Sequence, residues 1–508
     1  MIRRLNHRTT ELLLFFILLV AYVYVLPRWA EWSQNSRLNL TLAIVDQGTL
    51  RIDDYYQNTG DYAKFEGHYY TDKAPGPSFL GVPVYAVVRP LLQSAPAQSL
   101  LERISSSSAF SDTLNEEGTG LQKDKIYHAA VLTIVTFFVS ALPTAALAVL
   151  LFRFFTQIGV GAGWSASAAL IYGLATPAFT YGAALFSHQL CAFLLFGAFY
   201  IGFQIRRGTL SPRWVLAAGF MLAYSLISEY PTFLIAAGVF LYIVYVLFTQ
   251  ADRRARRWVI GFVLAGLPPG LLLMAYNYAI FRTPLPVGYQ YSELYTDLHS
   301  TGFLSLTSPH FDALWGISFS TYRGLFFVAP VLLLGVYGLW LGWRERERRA
   351  EWTVCIWAVV SFFLFNGSSV MWEGGFSVGP RYLVPMLPFL AAGLGAFARR
   401  WGAALLARAL TALLTVWSVF VVWAETIGGQ NYPGWNTNPL FEYSLPNLAA
   451  GDVARNLGMV IGLRGLVSML PLAAALLILI GLLAWNLRAA RQAADTPAGE
   501  VEPQRRTA

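Results

Sequence analysis

A short stretch of this sequence, residues 53–73, brings together side chains that can move protons and hold anions. Its acidic, imidazole, phenol and ammonium groups belong to Asp53, Asp54, Asp61, His68, Tyr69, Tyr70, Asp72 and Lys73. A carboxylate can take a proton from a hydroxyl group, and an ammonium group can stabilise an anionic oxygen. Because the Ala-Pro-Gly-Pro run after Lys73 restricts the backbone, we expect this ammonium group to be held in place. The tyrosines have an alternative interpretation as anchors at a lipid interface.

Further polar residues that could join such a site are spread along the rest of the chain. They are Arg37, His188, Glu229, Arg323, Trp372, Glu373 and Arg381. Three glycines and a proline lie just before Arg381, which indicates a shaped turn that, together with the guanidinium group, suits an anionic oxygen. His188 stands alone in an apolar segment, so a hydrogen-bonded packing residue is the competing interpretation.

The composition places these residues in a membrane protein. The 508 residues are 56% hydrophobic and 13% charged, whereas soluble domains average about 45–50% apolar and about 25% charged residues. The mean hydropathy is +0.50. These values exclude a soluble enzyme and a nucleic-acid-binding protein, and they predict an all-α polytopic membrane protein.

About twelve apolar runs (11 to 13) are long enough to be transmembrane helices, which need about 20 residues each. They lie near residues 12–26, 127–152, 161–178, 185–205, 213–228, 231–249, 258–281, 326–343, 352–370, 382–398, 401–423 and 464–487. The apolar residues 79–92 are ambiguous, because the run is short and contains two prolines and an arginine.

The arginine clusters decide this ambiguity. They lie near residues 206–213, 253–257, 344–349, 399–400 and 488–491, and the positive-inside rule places such clusters in the cytoplasm. With both termini also cytoplasmic, residues 79–92 cannot cross the membrane. Residues 27–126 then form one extracytoplasmic loop with interfacial helices, and this loop contains all four lysines of the chain.

Residues 1–487 are therefore predicted to form one transmembrane domain, with the loop 27–126 as its catalytic part. Residues 488–508 are polar and predict a disordered cytoplasmic tail. Cys191 and Cys355 both fall in predicted spans, so we expect packed apolar residues rather than a disulfide or a metal site.

The clustered groups suit an amphiphilic substrate. Aromatic and apolar walls would accept a lipid, cations its phosphate, and a carboxylate the proton of an attacking hydroxyl group. A polyprenyl-phosphate sugar has all three features.

Two elements of the loop resemble the GT-C superfamily of membrane glycosyltransferases, which includes protein O-mannosyltransferases and lipid A aminoarabinose transferases. Ser36-Arg37 followed by residues 38–44 resembles the family's arginine segment and helix. Gly67-His68-Tyr69-Tyr70-Thr71-Asp72-Lys73-Ala74-Pro75 resembles its Gly-x-x-Tyr-x-x-Lys-Pro-Pro element. The resemblance implies that Lys73 contacts the lipid phosphate.

The sequence departs from the family pattern at one position. The family's catalytic aspartate lies a few residues before the arginine, where this chain has Gln34 and Asn35. The base must then be Asp53, Asp61 or Asp54, and Asp53 and Asp61 are favoured.

The resulting hypothesis is an inverting glycosyltransferase of the cell inner or plasma membrane. It would move a sugar from a polyprenyl-phosphate donor to an extracytoplasmic lipid, glycan or protein acceptor. Lys73, Arg381 and His188 would bind the donor phosphate, while Tyr69, Tyr70 and Trp372 would line the sugar or lipid path. A divalent cation is possible, because acidic residues such as Glu229 and Glu373 could hold one.

The main rival is a transporter or flippase for a lipid-linked or small polar substrate. It predicts charged residues and helix breaks at mid-membrane on several spans, together with an internal repeat. The ionisable residues of this chain instead cluster outside the spans. A noncatalytic scaffold would not need the lysine element beside acidic residues.

Overall fold

The computed structural model describes residues 2–28, 31–107, 122–285, 288–294, 305–430, 432 and 436–495. Within these ranges the chain is mostly helical, and its single sheet has two strands. Nine of the described helices are long and apolar enough to cross a membrane. The predicted fold class, an all-α polytopic membrane protein, is therefore confirmed.

The first span and the segment after it contain most of the chemically interesting sequence. This part consists of α1 (Ile2–Tyr24), α2 (Trp32–Gln47), a 3₁₀ helix (Tyr56–Asn58), β1 (Tyr62–Phe65), β2 (His68–Thr71), α3 (Gly76–Leu92) and α4 (Ala95–Ser105).

Most helices in the middle of the chain contribute to one apolar core, and the first and the last of them contribute to smaller clusters. The helices of this part are α5 (Gln122–Thr136), a π-helix (Phe137–Ala141), α6 (Leu142–Gln157), α7 (Ala162–Leu174), α8 (Ala178–Gly182), α9 (Ser187–Arg206), α10 (Val215–Ser228), α11 (Phe233–Thr249), α12 (Trp258–Ala265) and α13 (Leu267–Phe281). Short 3₁₀ helices precede α10 (Pro212–Trp214), α11 (Tyr230–Thr232) and α12 (Arg253–Arg257), and another covers Gly288–Tyr291.

The last part of the chain completes the bundle. Its helices are α14 (Phe311–Ser318), α15 (Leu325–Val328), α16 (Leu332–Trp343), α17 (Arg349–Gly367), α18 (Leu387–Trp401), α19 (Leu405–Ile427), α20 (Leu445–Ala450), α21 (Leu457–Val460) and α22 (Leu470–Asp495). Three 3₁₀ helices (Arg346–Arg348, Arg381–Met386 and Gly465–Met469) and a π-helix (Leu440–Ser444) adjoin them.

Three of the predicted spans fall short of one long continuous helix, and each contains a proline or directly follows one. Residues 161–178 break after α7, just before Pro177; residues 213–228 begin with the 3₁₀ turn at Pro212; and residues 326–343 break at Pro330. Proline cannot donate the helical hydrogen bond and pushes the preceding residue out of the helical region. Ala329, which precedes Pro330, accordingly has φ −135° and ψ 67°.

Arginines from three of the five predicted clusters meet at one end of the bundle. Arg207 donates to the carbonyl of Gln157 (2.8 Å), and Arg348 and Arg399 both donate to that of Ile158 (3.4 and 3.1 Å). We call this the arginine end. The 20 residues of α9, at about 1.5 Å each, separate it by about 30 Å from the opposite end, which we call the loop end.

Helix α3 stays at the loop end. Its first residue, Gly76, packs against Ser228 at the close of α10. Near its other end, Arg89 forms an ion pair of 2.8 Å with Asp46 of α2. These two contacts join α3 to the close of α10 and to α2.

The predicted span 127–152 belongs to a much longer helical segment. Lys125–Gln157 covers 33 residues, about 50 Å at the helical rise and more than the roughly 30 Å of hydrocarbon. Ser140 Oγ donates to the carbonyl of Phe186 (3.4 Å), just before α9 begins. The crossing part therefore starts near Ser140, and α5 extends past it beside α3.

The β-hairpin is a feature that the sequence analysis did not predict. Strands β1 and β2 pair antiparallel with Tyr62 opposite Thr71. Glu66 and Gly67 form the turn, both with positive φ (50° and 82°), which is the backbone that two-residue hairpins favour. Strands of only four residues each are too short a pattern to stand out within a long loop.

Residues 488–495, which were predicted to belong to a disordered tail, are helical. Helix α22 continues to Asp495, because residues 488–495 are rich in alanine and arginine, which favour helix. Residues 496–508 of the predicted tail lie outside the described residues.

Candidate active site

A cavity of about 380 Å³ opens at the loop end between the hairpin, α2 and the starts of several spans. Its polar wall contains six of the predicted site residues: Arg37, Asp61, Lys73, His188, Glu229 and Arg381. They come from five separate parts of the chain, so the fold, and not sequence proximity, brings them together.

Lys73 lies between two carboxylates. Its Nζ atom is 3.0 Å from Asp61 Oδ2 and 3.2 Å from Asp72 Oδ1. The hairpin causes this arrangement: Asp61 immediately precedes β1, Asp72 immediately follows β2, and the register sets the two residues opposite each other. Only 13% of the Lys73 side chain is exposed.

The protonation of Lys73 and Asp72 follows from their burial and from the charges around them. Burial acts to lower the pKa of Lys73, but Asp61 and Asp72 outweigh it and raise that pKa above its usual range. Burial also raises the pKa of Asp72 to about 6, and the nearby Asp61 adds to the rise while Lys73 opposes it. Two carboxylates thus share one ammonium ion, and burial favours the protonated form of Asp72.

Arg37 enters the cavity from the middle of α2 and is 3% exposed. One of its terminal nitrogens donates to the Ser33 carbonyl (2.8 Å), and the other donates to Ser187 Oγ (3.3 Å). The second nitrogen is also 3.8 Å from Glu229 Oε2. Arg37 Nε has no hydrogen-bond partner among the described residues.

Glu229 is the carboxylate that joins Arg37 to the start of α9. It accepts a hydrogen bond from the Ser187 hydroxyl, and its Oε2 atom is 3.8 Å from Nδ1 of His188. The His188 ring stacks on Phe186 at 5.7 Å. The same Nδ1 atom is buried and, within the described part of the chain, makes no hydrogen bond.

Arg381 closes the cavity at the start of the 3₁₀ helix that precedes α18. Its guanidinium carbon lies 5.2 Å from the Phe186 ring and 5.1 Å from the Tyr382 ring, distances at which an arginine is attracted to an aromatic face. A terminal nitrogen is 4.0 Å from Glu31 Oε1. Arg381 Nε is buried and also lacks a hydrogen-bond partner in the described ranges.

Three buried nitrogens on one cavity wall are thus left with unused hydrogen-bonding capacity: Arg37 Nε, His188 Nδ1 and Arg381 Nε. Buried polar atoms are nearly always paired, and leaving one unpaired costs about 1–3 kcal/mol. Such a set beside Lys73 suits a ligand with several oxygen acceptors and negative charge.

The opposite wall of the cavity is apolar. It contains Phe233, Leu306, Phe362, Phe365 and Met371. Phe233, at the start of α11, is 52% exposed, so this wall continues onto the outer surface of an apolar span.

Two of the predicted bases lie outside this cavity. Asp53 Oδ2 is 2.8 Å from His68 Nδ1, and its other oxygen accepts from the backbone N–H of Tyr69 (2.7 Å). Asp53 and His68 therefore fasten the hairpin to the segment before it. Asp54 is exposed and accepts a hydrogen bond from Gln47 (2.6 Å).

The two predicted tyrosines of β2 also lie away from the cavity lining. Tyr69 stacks on Tyr56 with ring centres 3.7 Å apart. Tyr70 is 7% exposed and packs in an apolar cluster with Phe281. Both support the hairpin rather than line a sugar or lipid path.

Three of the predicted site residues, Arg323, Trp372 and Glu373, make structural contacts and do not line the cavity. Arg323 is fully buried and donates to backbone carbonyls. Trp372 packs edge-on against Tyr322 with ring centres 6.3 Å apart. The side chain of Glu373 is exposed, and its carbonyl is one of those that Arg323 binds.

Glu31 is the main site residue that the sequence analysis missed. Its carboxylate caps α2 by accepting from the Gln34 N–H (2.7 Å) and faces Arg381. Burial raises the pKa of Glu31, with Arg381 opposing the rise. An acidic residue upstream of Arg37 was the available signal, but Glu31 lies farther from Arg37 than Gln34 and Asn35, the positions compared with the family's aspartate. Ser187, Tyr289 and Tyr382 were also missed, because such residues are common at span ends.

The predicted divalent cation has no obvious site. Among the described residues, no group of three or more histidine, cysteine, aspartate or glutamate side chains is arranged to hold a metal ion. The position between Asp61 and Asp72 is taken by the ammonium group of Lys73. Cys191 and Cys355 are buried free thiols, as predicted.

No family model matches this chain, and no curated protein matches it. The solved structures that are similar to it include two of ArnT from Cupriavidus metallidurans. The structure bound to undecaprenyl phosphate is 15% identical, and the match covers 95% of this chain and 75% of that one with a TM-score of 0.43. The apo structure is 14% identical, with coverages of 94% and 74% and a TM-score of 0.45.

Proposed function

We propose that this protein is an integral-membrane glycosyltransferase that transfers a sugar from a polyprenyl-phosphate donor to an extracytoplasmic acceptor. The observation that carries the proposal is the cavity wall formed by Arg37, Lys73, His188 and Arg381. It has three unpaired buried nitrogens and faces an apolar wall. The resemblance of the loop motifs to GT-C glycosyltransferases supports the same reaction.

The donor phosphate is proposed to bind between Arg37, Lys73 and Arg381. Charge-assisted hydrogen bonds from these groups contribute about 1.5–3 kcal/mol each. The polyprenyl chain would follow the apolar wall towards Phe233 and the lipid, where no polar group needs to be desolvated. The sugar would then lie in the cavity near Asp61 and Glu229.

The reaction is a single displacement at the anomeric carbon. The acceptor hydroxyl oxygen bonds to that carbon while the bond from the carbon to the phosphate oxygen breaks. The leaving polyprenyl phosphate takes the bonding electron pair, and the base takes the acceptor's proton. An attack from the face opposite the phosphate inverts the configuration of the sugar.

Asp61 is the proposed base. It is the one of the three predicted aspartates that lines the cavity, and it is 4% exposed. Its proximity to Lys73 places the proton acceptor beside the proposed phosphate contact. A phosphate that attracts the Lys73 ammonium would free Asp61 to accept a proton.

Transfer from a labelled polyprenyl-phosphate sugar in proteoliposomes tests the proposal. Lys73→Ala should lower the rate roughly tenfold to a hundredfold, the equivalent of one charge-assisted bond. Lys64→Ala is the matched control, because Lys64 is in the same loop but 42% of its side chain is exposed. Equal activity of Lys73→Ala and Lys64→Ala would refute the site assignment. Movement of the labelled lipid across the bilayer without transfer would favour the rival, a flippase.

A further inference from the structure

The two arginines predicted near the outer span ends, Arg323 and Arg381, have opposite environments. Arg323 is 0% exposed. Its Nε, Nη1 and Nη2 atoms donate to the backbone carbonyls of Glu373 (3.1 Å), Tyr322 (3.1 Å) and Gly375 (2.8 Å). Arg323 is therefore held by the backbone and does not line the cavity.

The carbonyls that Arg323 binds belong largely to one loop, residues 373–380, which we call the glycine loop. Gly374 and Gly375 have positive φ angles of 72° and 64°, a conformation that other residues adopt only with strain. Two of the three hydrogen bonds of Arg323 hold this turn from its buried side.

The other side of the glycine loop contacts Arg381. A methyl group at Gly374 would lie 3.1 Å from Arg381 Cγ and 3.3 Å from its Nε. The Arg381 side chain therefore lies directly against the backbone of the turn that Arg323 fixes.

A second buried side chain holds the same loop. Tyr181 of α8 donates its hydroxyl hydrogen to the carbonyl of Val378 (2.9 Å) and is 2% exposed. Neither Tyr181 nor Arg323 lines the cavity, whereas Arg381 does.

We infer that Arg323 is a positioning residue for Arg381, and that it acts through the glycine loop with Tyr181 as a second support. The consequence for binding rests on the proposed function, in which Arg381 holds the donor phosphate. The planar fork of arginine reaches three carbonyls at once, whereas lysine offers a single point charge. Arg323→Lys should therefore keep the buried charge but loosen the loop.

The test is a double-mutant cycle with Arg323→Lys, Arg381→Ala and the double variant, all as full-length protein in nanodiscs. Two quantities are measured: the affinity for polyprenyl phosphate and the amide hydrogen exchange of residues 373–381. Arg89→Lys is the control, because Arg89 pairs with Asp46 at the loop end without contacting the glycine loop.

Arg323→Lys should weaken polyprenyl phosphate binding about tenfold and speed exchange in the glycine loop, whereas Arg89→Lys should do neither. In the Arg381→Ala background, Arg323→Lys should cause no further loss of affinity, because its effect passes through Arg381. Tyr181→Phe, which keeps the ring and removes the Val378 bond, should give a smaller change of the same kind.

Unchanged exchange in the loop of Arg323→Lys, or losses that multiply in the double variant, would overturn the inference. Failure of the proposed function has a different signature. In that case, Arg381→Ala itself would leave polyprenyl phosphate binding unchanged while Arg323→Lys still speeds loop exchange.

Discussion

The chemical properties of the cavity depend on which side chains the fold places next to each other. The sequence predicted six of these residues: Asp61 and Lys73 from their clustering in the first loop, Arg37 from the resemblance of the loop motif, and His188, Glu229 and Arg381 from their types near span ends. It could not separate Asp61 from Asp53, because both are aspartates of the same loop. The hairpin register separates them, since it sets Asp61 beside Lys73 and leaves Asp53 with His68.

Replacement of the aspartates by asparagine should distinguish the two candidates. Asp61→Asn removes the proposed base, so the transfer rate should fall by about 10²–10⁴-fold. Asp53→Asn should keep most of the activity, because Asp53 only fastens the hairpin. Asp54→Asn, at an exposed position, is the control. Transfer that survives in Asp61→Asn but is lost in Asp53→Asn would reverse the assignment.

Asp72 should make folding stability depend on pH. Its pKa rises from 3.8 to about 6 in the folded chain, mainly through burial. A raised acid pKa means that the protonated form stabilises the fold; this contribution is complete below about pH 4 and is lost as the pH rises through 6. Asp72→Asn does not undergo this loss. The difference between its Tm and that of the wild type should therefore increase from pH 4 to pH 7.

Thermal unfolding in detergent across that pH range measures this difference. Asp54→Asn should show a constant difference from the wild type, since Asp54 is exposed. A constant difference for Asp72→Asn as well would show that Asp72 does not hold its proton in the folded protein.

At the scale of elements, the apolar runs and the arginine clusters predicted most of the helices. Nine predicted spans correspond to long helices, because hydrophobic length alone determines what can cross a bilayer. The broken helices and the hairpin were less accessible to prediction. They depend on single prolines and on a two-residue turn, which hardly alter average hydropathy.

Gly76, the first residue of α3, is so closely packed that a larger side chain at this position should destabilise the protein. A methyl group at Gly76 would collide with the Ser228 side chain and lie 2.9 Å from the Ile227 carbonyl. Overpacking of this kind typically costs about 1–3 kcal/mol, so Gly76→Ala should lower the Tm. Gly270→Ala in α13 is the matched control, because nothing lies within 4 Å of its added methyl group. Equal Tm values for the two variants would contradict the packing of α3 on α10.

At the scale of the whole molecule, the formal charge is +8. The basic residues lie at two ends of the bundle, and the two ends have different roles. Arginines from several spans meet at the arginine end, and the cavity with Lys73 lies at the loop end. The positive-inside rule then predicts that the cavity faces the extracytoplasmic side.

Labelling of single introduced cysteines tests this orientation. The native Cys191 and Cys355 are buried and should not react. Glu66→Cys in the hairpin turn should react with a membrane-impermeant maleimide from outside intact cells. Thr209→Cys, beside the arginine end, should react only after the membrane is opened. The reverse pattern would place the cavity in the cytoplasm and contradict the proposed acceptor side.

The central claim is that the cavity binds the phosphate of a polyprenyl lipid. Binding of polyprenyl phosphate and of the uncharged polyprenol to the purified protein in nanodiscs tests it without knowledge of the sugar or the acceptor. The phosphate should bind at least about tenfold more tightly than the alcohol, as expected for one charge-assisted bond or more. This preference should disappear in the Lys73→Ala, Arg381→Ala double variant and persist in Lys64→Ala. Equal binding of the two lipids, or a preference that the double variant retains, would contradict the account.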